Sequence, residues 1–203
     1  MREKILTKSL DLFLNLGFKS VTMDDIANEM GISKKTIYVH FPNKTKLVEA
    51  TTLHLFETIS CGIDDISALK KNPIEEIFEI KAFVMEHLKN EKSSPQYQLQ
   101  KYYPKIFAAL KTKQFEVMQG CVTENLQRGV AQGLYRDNMD VDFISRIYFY
   151  GMVSLKDQEL FPLVAFSMNT LMMYYLEYHL RGICTTAGLE TLTELLKNQS
   201  QRN

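Results

Sequence analysis

The segment from residue 32 to residue 47, ISKKTIYVHFPNKTKL, concentrates side chains that can contact a nucleic acid. It contains two adjacent lysines, Lys34 and Lys35, with Tyr38 and His40 following on the same stretch. A lysine ammonium can donate to guanine O6 or N7 or to a phosphate oxygen, and a tyrosine hydroxyl can reach a phosphate. The chemistry that this segment predicts is recognition of DNA.

Two short helices are predicted to position these side chains, and the first covers residues 23–30. Thr22 stands before it as an N-cap, and the acidic residues that open the helix suit the positive end of its dipole. Gly31 follows its last residue and tolerates the left-handed conformation that often ends a helix. The sequence therefore predicts a short capped helix with a tight turn directly after it.

The second helix is predicted over residues 34–40. Ser33 caps its start, and Pro42 ends it because proline disfavours helix at the residue before it. Two helices joined by a three-residue turn, with a small Ala27 in the first for close packing, are typical of a helix-turn-helix. The second helix of that motif enters the major groove of DNA.

The helical wheel assigns a face to this recognition helix. With Ile37 turned toward the core, about 100° per residue directs four side chains outward to read bases, namely Lys35, Thr36, Tyr38 and Val39. Hydroxyls and free N–H groups at helix starts, and cations at the helix ends, are suited to phosphate. We expect phosphate contacts from Thr22, Ser33, Lys34, His40 and Lys44.

The remainder of the chain reads as helical, because apolar residues recur every three or four positions and alternating β-branched runs are missing. One helix is predicted over residues 2–16, with a stripe that includes Leu16 and with Gly17 as its C-terminal cap. Beyond the motif, helices are predicted over 44–60, 73–90, 95–110, 113–132, 141–154, 158–181 and 189–198. We expect an all-α protein in which a helix-turn-helix domain, residues 1–47, is joined by a fourth helix to a helical regulatory and dimerisation domain, residues 48–203.

Charge and composition agree with this division. The 203 residues are 45% hydrophobic with zero net charge, but the first 47 hold eight basic and five acidic residues, and the remainder carries the opposite excess. The first residues do not fit the pattern of a signal segment, so we expect none. The apolar stretch over residues 160–176 contains Pro162 and is shorter than the ~20 residues of a membrane span. We expect a cytoplasmic protein that does not enter the membrane.

Catalytic and metal signatures are absent from the sequence. There is no Gly-rich phosphate loop, no GxSxG and no HExxH, and the four histidines are scattered. The three cysteines are far apart and odd in number, which predicts neither a disulfide framework nor a metal site. We expect no enzymatic activity, no cofactor and no metal.

The stretch GFKSVTMDDIANEMGISKKTIYVHFPNKTKLV resembles the N-terminal domain of the tetracycline-repressor (TetR) family of bacterial transcription regulators. The preceding LFLNLGF and the later GLYRDNMDVDFIS are also similar to family segments. The resemblance implies a homodimer that represses from a palindromic operator, and a C-terminal helical domain that binds a small molecule and then releases DNA. The family often has a small residue where Lys35 and Thr36 stand, so the operator sequence stays open.

The C-terminal half is rich in aromatic residues and methionine, which can line an apolar ligand pocket as well as a core. The predicted ligand-binding residues are Phe83, His87, Tyr103, Phe107, Met118 and Phe149. The segment from 160 to 183 is apolar on more faces than a surface helix needs, so we expect a homodimer through residues 160–198. The alternative is a helix-turn-helix regulator controlled by a protein partner or by oxidation of Cys61, Cys121 or Cys184, with no small-molecule ligand.

Overall fold

The computed structural model describes residues 1–88, 95–157, 159–162 and 164–200, and this part of the chain is all-α, as predicted. Its ten helices are α1 (Arg2–Leu16), α2 (Met23–Met30), α3 (Lys34–His40), α4 (Lys44–Ala68), α5 (Pro73–His87), α6 (Pro95–Tyr102), α7 (Pro104–Ala131), α8 (Val141–Ser154), α9 (Met168–Ile183) and α10 (Thr186–Ser200).

The first three helices have the predicted bounds because short-range hydrogen bonds fix their ends. Gly17 ends α1 with a φ of 89°, and its N–H donates to the carbonyl of Phe13. The expectation that Leu16 lies on the buried stripe is wrong, because Leu16 is exposed. The chain turns at Gly17, and the ring of Phe18 packs against Phe13 with centroids 5.1 Å apart.

Later helices differ from the predicted bounds. Helix α4 continues to Ala68, since Gly62 lies inside it without ending it. The predicted break near residue 112 is wrong, and the break falls at Tyr103, whose helical conformation is disfavoured by the following Pro104. Helix α5 ends at His87, and residues 89 and 90 of its predicted extent lie outside the described residues.

The last two helices also begin at different residues than predicted. Helix α9 starts at Met168 instead of residue 158, because the hydroxyl of Ser167 accepts a hydrogen bond from the N–H of Thr170 and caps the helix there. Residues 158 and 163 of the predicted helix lie outside the described part of the chain. Helix α10 begins at Thr186, three residues before the predicted start.

The chain forms two compact units, Met1–Cys61 with Met85–Gln114, and Gly62–Val84 with Phe115–Asn203. Neither unit is a continuous segment, so the compact units do not divide the chain at residue 47. The reason is that later helices contribute to the core of the first unit. Leu99 of α6 is part of this core, and Tyr103, between α6 and α7, and Phe107 of α7 pack against it. A boundary between residues 47 and 48 stays a prediction drawn from the motif.

The core of the first unit surrounds the helix-turn-helix. Ile5 and Phe13 of α1, Ile26 of α2, Ile37 of α3 and Leu47 of α4 are fully buried in one cluster. Burial of side chains of this size contributes roughly 1.5 to 3 kcal/mol each. These contacts fix α3 against the other helices and leave its opposite face to solvent.

The second unit combines an apolar cluster with a buried polar network. Ile74, Leu126, Leu176 and Leu192 lie within the cluster. In the network the Glu76 carboxylate is paired with the guanidinium of Arg128 and accepts a 2.8 Å hydrogen bond from Asn125, which in turn accepts one from the hydroxyl of Tyr135 at 3.2 Å. These bonds join α5 to α7 and to the segment that follows α7.

Candidate nucleic-acid interface

The turn between α2 and α3 depends on Gly31. Its φ of 61° lies in the left-handed region, and its N–H donates to the carbonyls of Ala27 and Asn28. Ile32 N–H also donates to the carbonyl of Ala27, at 3.0 Å. A side chain is strained at this backbone conformation, so glycine lets α3 begin only three residues after α2 ends.

Both predicted N-caps are confirmed, and their hydroxyls already have partners. Thr22 and Asp25 form a capping box, in which the N–H and hydroxyl of Thr22 donate to the Asp25 carboxylate at 2.7 and 2.8 Å. These two hydrogen bonds lower the pKa of Asp25. Ser33 accepts from the N–H of Thr36 at 3.1 Å. A phosphate at either helix start meets free backbone N–H groups and competes for these hydroxyls.

The outward face of α3 agrees with the helical wheel. Ile37 is fully buried, whereas Tyr38 is 42% and Val39 75% exposed. Lys35 is also exposed. Thr36 is only half-exposed, and its hydroxyl lies 2.9 Å from the hydroxyl of Ser33. The face therefore offers one ammonium group, one phenol and a branched methyl surface, which are groups that read base edges and thymine methyls.

The lysines of the motif differ in their partners. Lys34 donates to the carboxylate of Asp24 at 2.7 Å, and this hydrogen bond raises the pKa of Lys34. Lys35 forms no ion pair with any carboxylate of the described residues. Lys44 donates to the backbone carbonyl of Lys19 at 3.2 Å, and partial burial lowers its pKa. Lys35 is thus the available cation at the centre of the face.

Asn43 caps α4, as the sequence pattern predicts, because its side-chain carbonyl accepts a hydrogen bond from the N–H of Lys46 at 2.9 Å. One further residue next to the motif, Lys19, was missed by the sequence reasoning. Lys19 lies in the loop before α2 and is exposed. Its position three residues before the Thr22 cap was the signal available in the sequence. His40, in the last turn of α3, is half-buried.

The six predicted ligand-binding residues divide equally between the two units. His87, Tyr103 and Phe107 belong to the first, where Tyr103 and Phe107 pack against the core of the helix-turn-helix. Phe83, Met118 and Phe149 belong to the second. There Phe149 is buried and contacts the ring of Phe115 edge-on, with centroids 5.2 Å apart. Their role toward a ligand stays a prediction.

A groove in the first unit has a volume of about 740 Å³. It lies between α1 and α4 and extends to the end of α5. His54 of α4 and His87 of α5 are among the residues that line it. None of the other predicted ligand residues lines this groove. Across the described ranges, no group of three or more histidine, cysteine, aspartate or glutamate side chains is placed to hold a metal ion. The described helices also include none whose length and apolarity would let it cross a membrane.

The match with the family model of the bacterial regulatory proteins of the tetR family covers residues 5–51, which is α1 to the first turns of α4. The N-terminal segment of the chain is therefore similar to that of these regulatory proteins. It is 24% identical over 152 residues to the HTH-type transcriptional repressor KstR2 of Mycolicibacterium smegmatis, a match that covers 71% of this chain and 72% of that protein.

Similarity to a second relative covers a shorter stretch of the chain. The negative regulator of the biofilm operon icaADBC, IcaR of Staphylococcus aureus, is 32% identical over 60 residues, which is 30% of this chain and 32% of that protein. The fold extends further than this identity. SmeT, the repressor of the Stenotrophomonas maltophilia multidrug efflux pump SmeDEF, superposes with a TM-score of 0.68 at 16% identity over 92% of this chain and 91% of SmeT.

Proposed function

We propose that this protein is a transcriptional repressor that binds a two-fold-symmetric DNA operator as a homodimer and is released by a small apolar or amphipathic ligand. The observation that carries the proposal is the face of α3, on which Lys35, Tyr38 and Val39 are exposed while Ile37 is buried in the core. A short helix mounted in this way presents its side chains to the major groove.

The residues of the motif then have two roles. Base edges are read by Lys35, Thr36, Tyr38 and Val39. Phosphates are bound by Thr22, Ser33, Lys34, His40 and Lys44, which fix the position of α3 without carrying sequence information. This division assigns specificity to α3 and general affinity to the helix ends around it.

An exposed apolar face on α8 and α9 supports the homodimer. Phe143, Ile147 and Tyr150 repeat along α8 with helical spacing, and all are exposed. Tyr174 and Tyr178 lie one turn apart on α9, and they are 64% and 78% exposed. A patch of this kind suits a two-fold interface, in which the same surface meets itself.

The proposed interface differs in one element from the expectation of residues 160–198. Helix α10 places Leu192 in the core and carries Glu190, Glu194 and Lys197 on its exposed side. The described side chains of α10 form no comparable apolar face, so we assign α8 in place of α10 as the partner of α9. Two subunits joined in this way present two copies of α3, which read half-sites ~34 to 36 Å apart on one side of the duplex.

A ligand site among the aromatic side chains of the second unit fits the regulatory part. Phe83, Phe115, Met118 and Phe149 belong to this unit and supply apolar surface on α5, α7 and α8. Among the relatives, SmeT has been solved as a complex with triclosan, and KstR2 of Mycobacterium tuberculosis is described as a ketosteroid transcriptional regulator. A ligand releases DNA if it binds more tightly to a conformation whose α3 spacing does not match the operator.

Selection from a randomised duplex library with the purified protein, at fixed near-physiological salt, tests the DNA-binding part. Enrichment of a palindrome with half-sites about one turn apart is the expected result. Binding without enrichment of any sequence would contradict it, because charge alone gives only non-specific affinity.

A further inference from the structure

Helix α6 packs against the loop that precedes the helix-turn-helix. Leu99 of α6 is buried in the core of the first unit, and the ring of Tyr103 lies 6.4 Å from that of Phe18. The side-chain carbonyl of Gln98 accepts a hydrogen bond from the N–H of Lys19 at 3.2 Å. These contacts hold the exposed side of α6 in a fixed position beside the loop.

Two lysines and two tyrosines alternate across this contact, and we call them the basic ladder. The ammonium of Lys19 lies 5.1 Å from the centre of the Tyr102 ring. Lys101 lies 5.8 Å from the same ring and 5.5 Å from the ring of Tyr97, to whose hydroxyl it donates at 3.3 Å. The aromatic faces orient both ammonium groups without neutralising their charge.

The two segments that carry the basic ladder contain no acidic side chain. Helix α6, PQYQLQKY, and the loop over residues 17–21 contain no aspartate or glutamate. Other lysines of the first unit are ion-paired, among them Lys8, Lys34 and Lys46. Lys19 and Lys101 form no such pair with the described carboxylates, and both are exposed. The ladder is therefore a site of unbalanced positive charge.

The ladder is continuous with the proposed phosphate contacts. Lys44, assigned to phosphate at the start of α4, donates to the backbone carbonyl of Lys19, whose own side chain begins the ladder. We infer that the basic ladder is an additional DNA-binding surface, which holds phosphates of the duplex flanking each operator half-site. The inference rests on the proposed function, since it needs α3 to be seated in the groove. Lysines bind phosphate as point charges, and tyrosine hydroxyls add hydrogen bonds.

Duplexes of two lengths test the inference with the full-length protein. The short duplex ends with the selected palindrome, and the long duplex adds about one helical turn, ~10 base pairs, on either side. The wild type is expected to bind the long duplex more tightly and with a steeper salt dependence. In the double variant Lys19→Met with Lys101→Met, which keeps apolar length over the rings, the salt slope on the long duplex falls by about 0.9 for each phosphate that the ladder no longer neutralises.

The variants separate this inference from the proposed function. On the short duplex the double variant is expected to bind like the wild type, and Lys19→Arg with Lys101→Arg is expected to restore the advantage of the long duplex. Lys197→Met on α10 removes the same charge elsewhere and leaves both slopes unchanged. Equal slopes for wild type and double variant on the long duplex would overturn the inference. Failure of the wild type to prefer the short palindrome over random DNA would instead overturn the proposed function.

Discussion

The ammonium of Lys34, in the first turn of α3, lies 2.7 Å from a carboxylate oxygen of Asp24, in the first turn of α2. The pair joins the two helices of the motif near the end at which the phosphate contacts are proposed. It also neutralises Lys34 in the free protein, whereas the neighbouring Lys35 forms no ion pair with a described carboxylate. The two adjacent lysines are therefore not equivalent toward DNA.

Replacing Asp24 by asparagine is predicted to strengthen DNA binding of every sequence. The change frees Lys34 for phosphate and removes a negative charge from the proposed surface, so the salt slope should steepen by about one. Fluorescence anisotropy titrations at several salt concentrations measure both effects. Glu79→Gln, which frees Lys71 from its ion pair in the same way, is the matched control and should change nothing. An unchanged or weaker affinity of Asp24→Asn would refute the assignment of Lys34 to phosphate.

Tyr178→Asp is predicted to convert the homodimer into a monomer that remains folded. The side chain is 78% exposed in one subunit, so the change does not disturb the core. In a two-fold interface it would bury two carboxylates in apolar surroundings, where desolvation is strongly unfavourable. Sedimentation velocity and circular dichroism give the mass and the helix content.

The matched control for the dimer is Glu190→Lys on α10, which changes an exposed side chain outside the α8 and α9 face. It is expected to stay dimeric. If Glu190→Lys dissociated and Tyr178→Asp did not, the interface would involve α10, as the sequence pattern predicts.

The helix-turn-helix was predictable because its determinants are local. Thr22, Gly31 and Ser33 act through hydrogen bonds to residues at most four positions away, so their effect is visible in a short stretch of sequence. The break at Tyr103 also has a local determinant, Pro104, but the prediction placed this break too late in the chain. Asp24 as the partner of Lys34 was missed, because a ten-residue separation across a turn is not a helical spacing.

The composition of the first unit was not predictable from local pattern. Gln98 bonds to Lys19 across 79 positions in the chain, and Leu99 and Tyr103 pack on a core formed otherwise by the first 50 residues. Apolar periodicity shows which face of a helix is buried but not which helix covers it. Tyr103 and Phe107 were predicted to bind a ligand; they pack against the core of the helix-turn-helix, and their role toward a ligand stays a prediction.

His179 is predicted to make the protein less stable as the pH falls from 6.5 to 4. Burial lowers the pKa of His179 to about 4, below the ~6.5 of an unfolded histidine, so the unfolded chain takes up the proton first. The stability that the neutral side chain provides is complete above pH 6.5 and is lost progressively down to pH 4, by roughly 3 kcal/mol.

Urea unfolding between pH 4 and pH 7 measures this loss, with His179→Gln as the comparison. The variant keeps the carboxylates that also titrate in this range. The contribution of His179 is therefore the difference between the wild-type and variant curves of unfolding free energy against pH. As the pH falls, the free energy of unfolding is expected to decrease more for the wild type than for the variant. Parallel curves would show that His179 titrates normally.

Alkylation of the folded protein at pH 8 is predicted to modify Cys61 and to spare the other two cysteines. Cys61 is exposed, whereas burial raises the pKa of Cys121 and raises that of Cys184 to about 11, and the thiolate is the reactive form. Mass spectrometry after iodoacetamide treatment, with and without urea, gives the labelling order. DNA affinity should survive the treatment. Loss of affinity in step with labelling of Cys121 or Cys184 would favour control by thiol oxidation.

Sequence reading by α3 is measured by the ratio of the dissociation constants for the selected palindrome and a scrambled duplex. Both are measured at one salt concentration for the wild type, Lys35→Ala and Lys44→Ala. The wild type is predicted to prefer the palindrome by a factor of about 10³ or more. Lys35→Ala should lose on the order of 1 to 3 kcal/mol of this preference at one base position, and Lys44→Ala should weaken both duplexes alike. A wild-type ratio near one, or equal losses on both duplexes for both variants, would contradict the assignment of the α3 face to base reading.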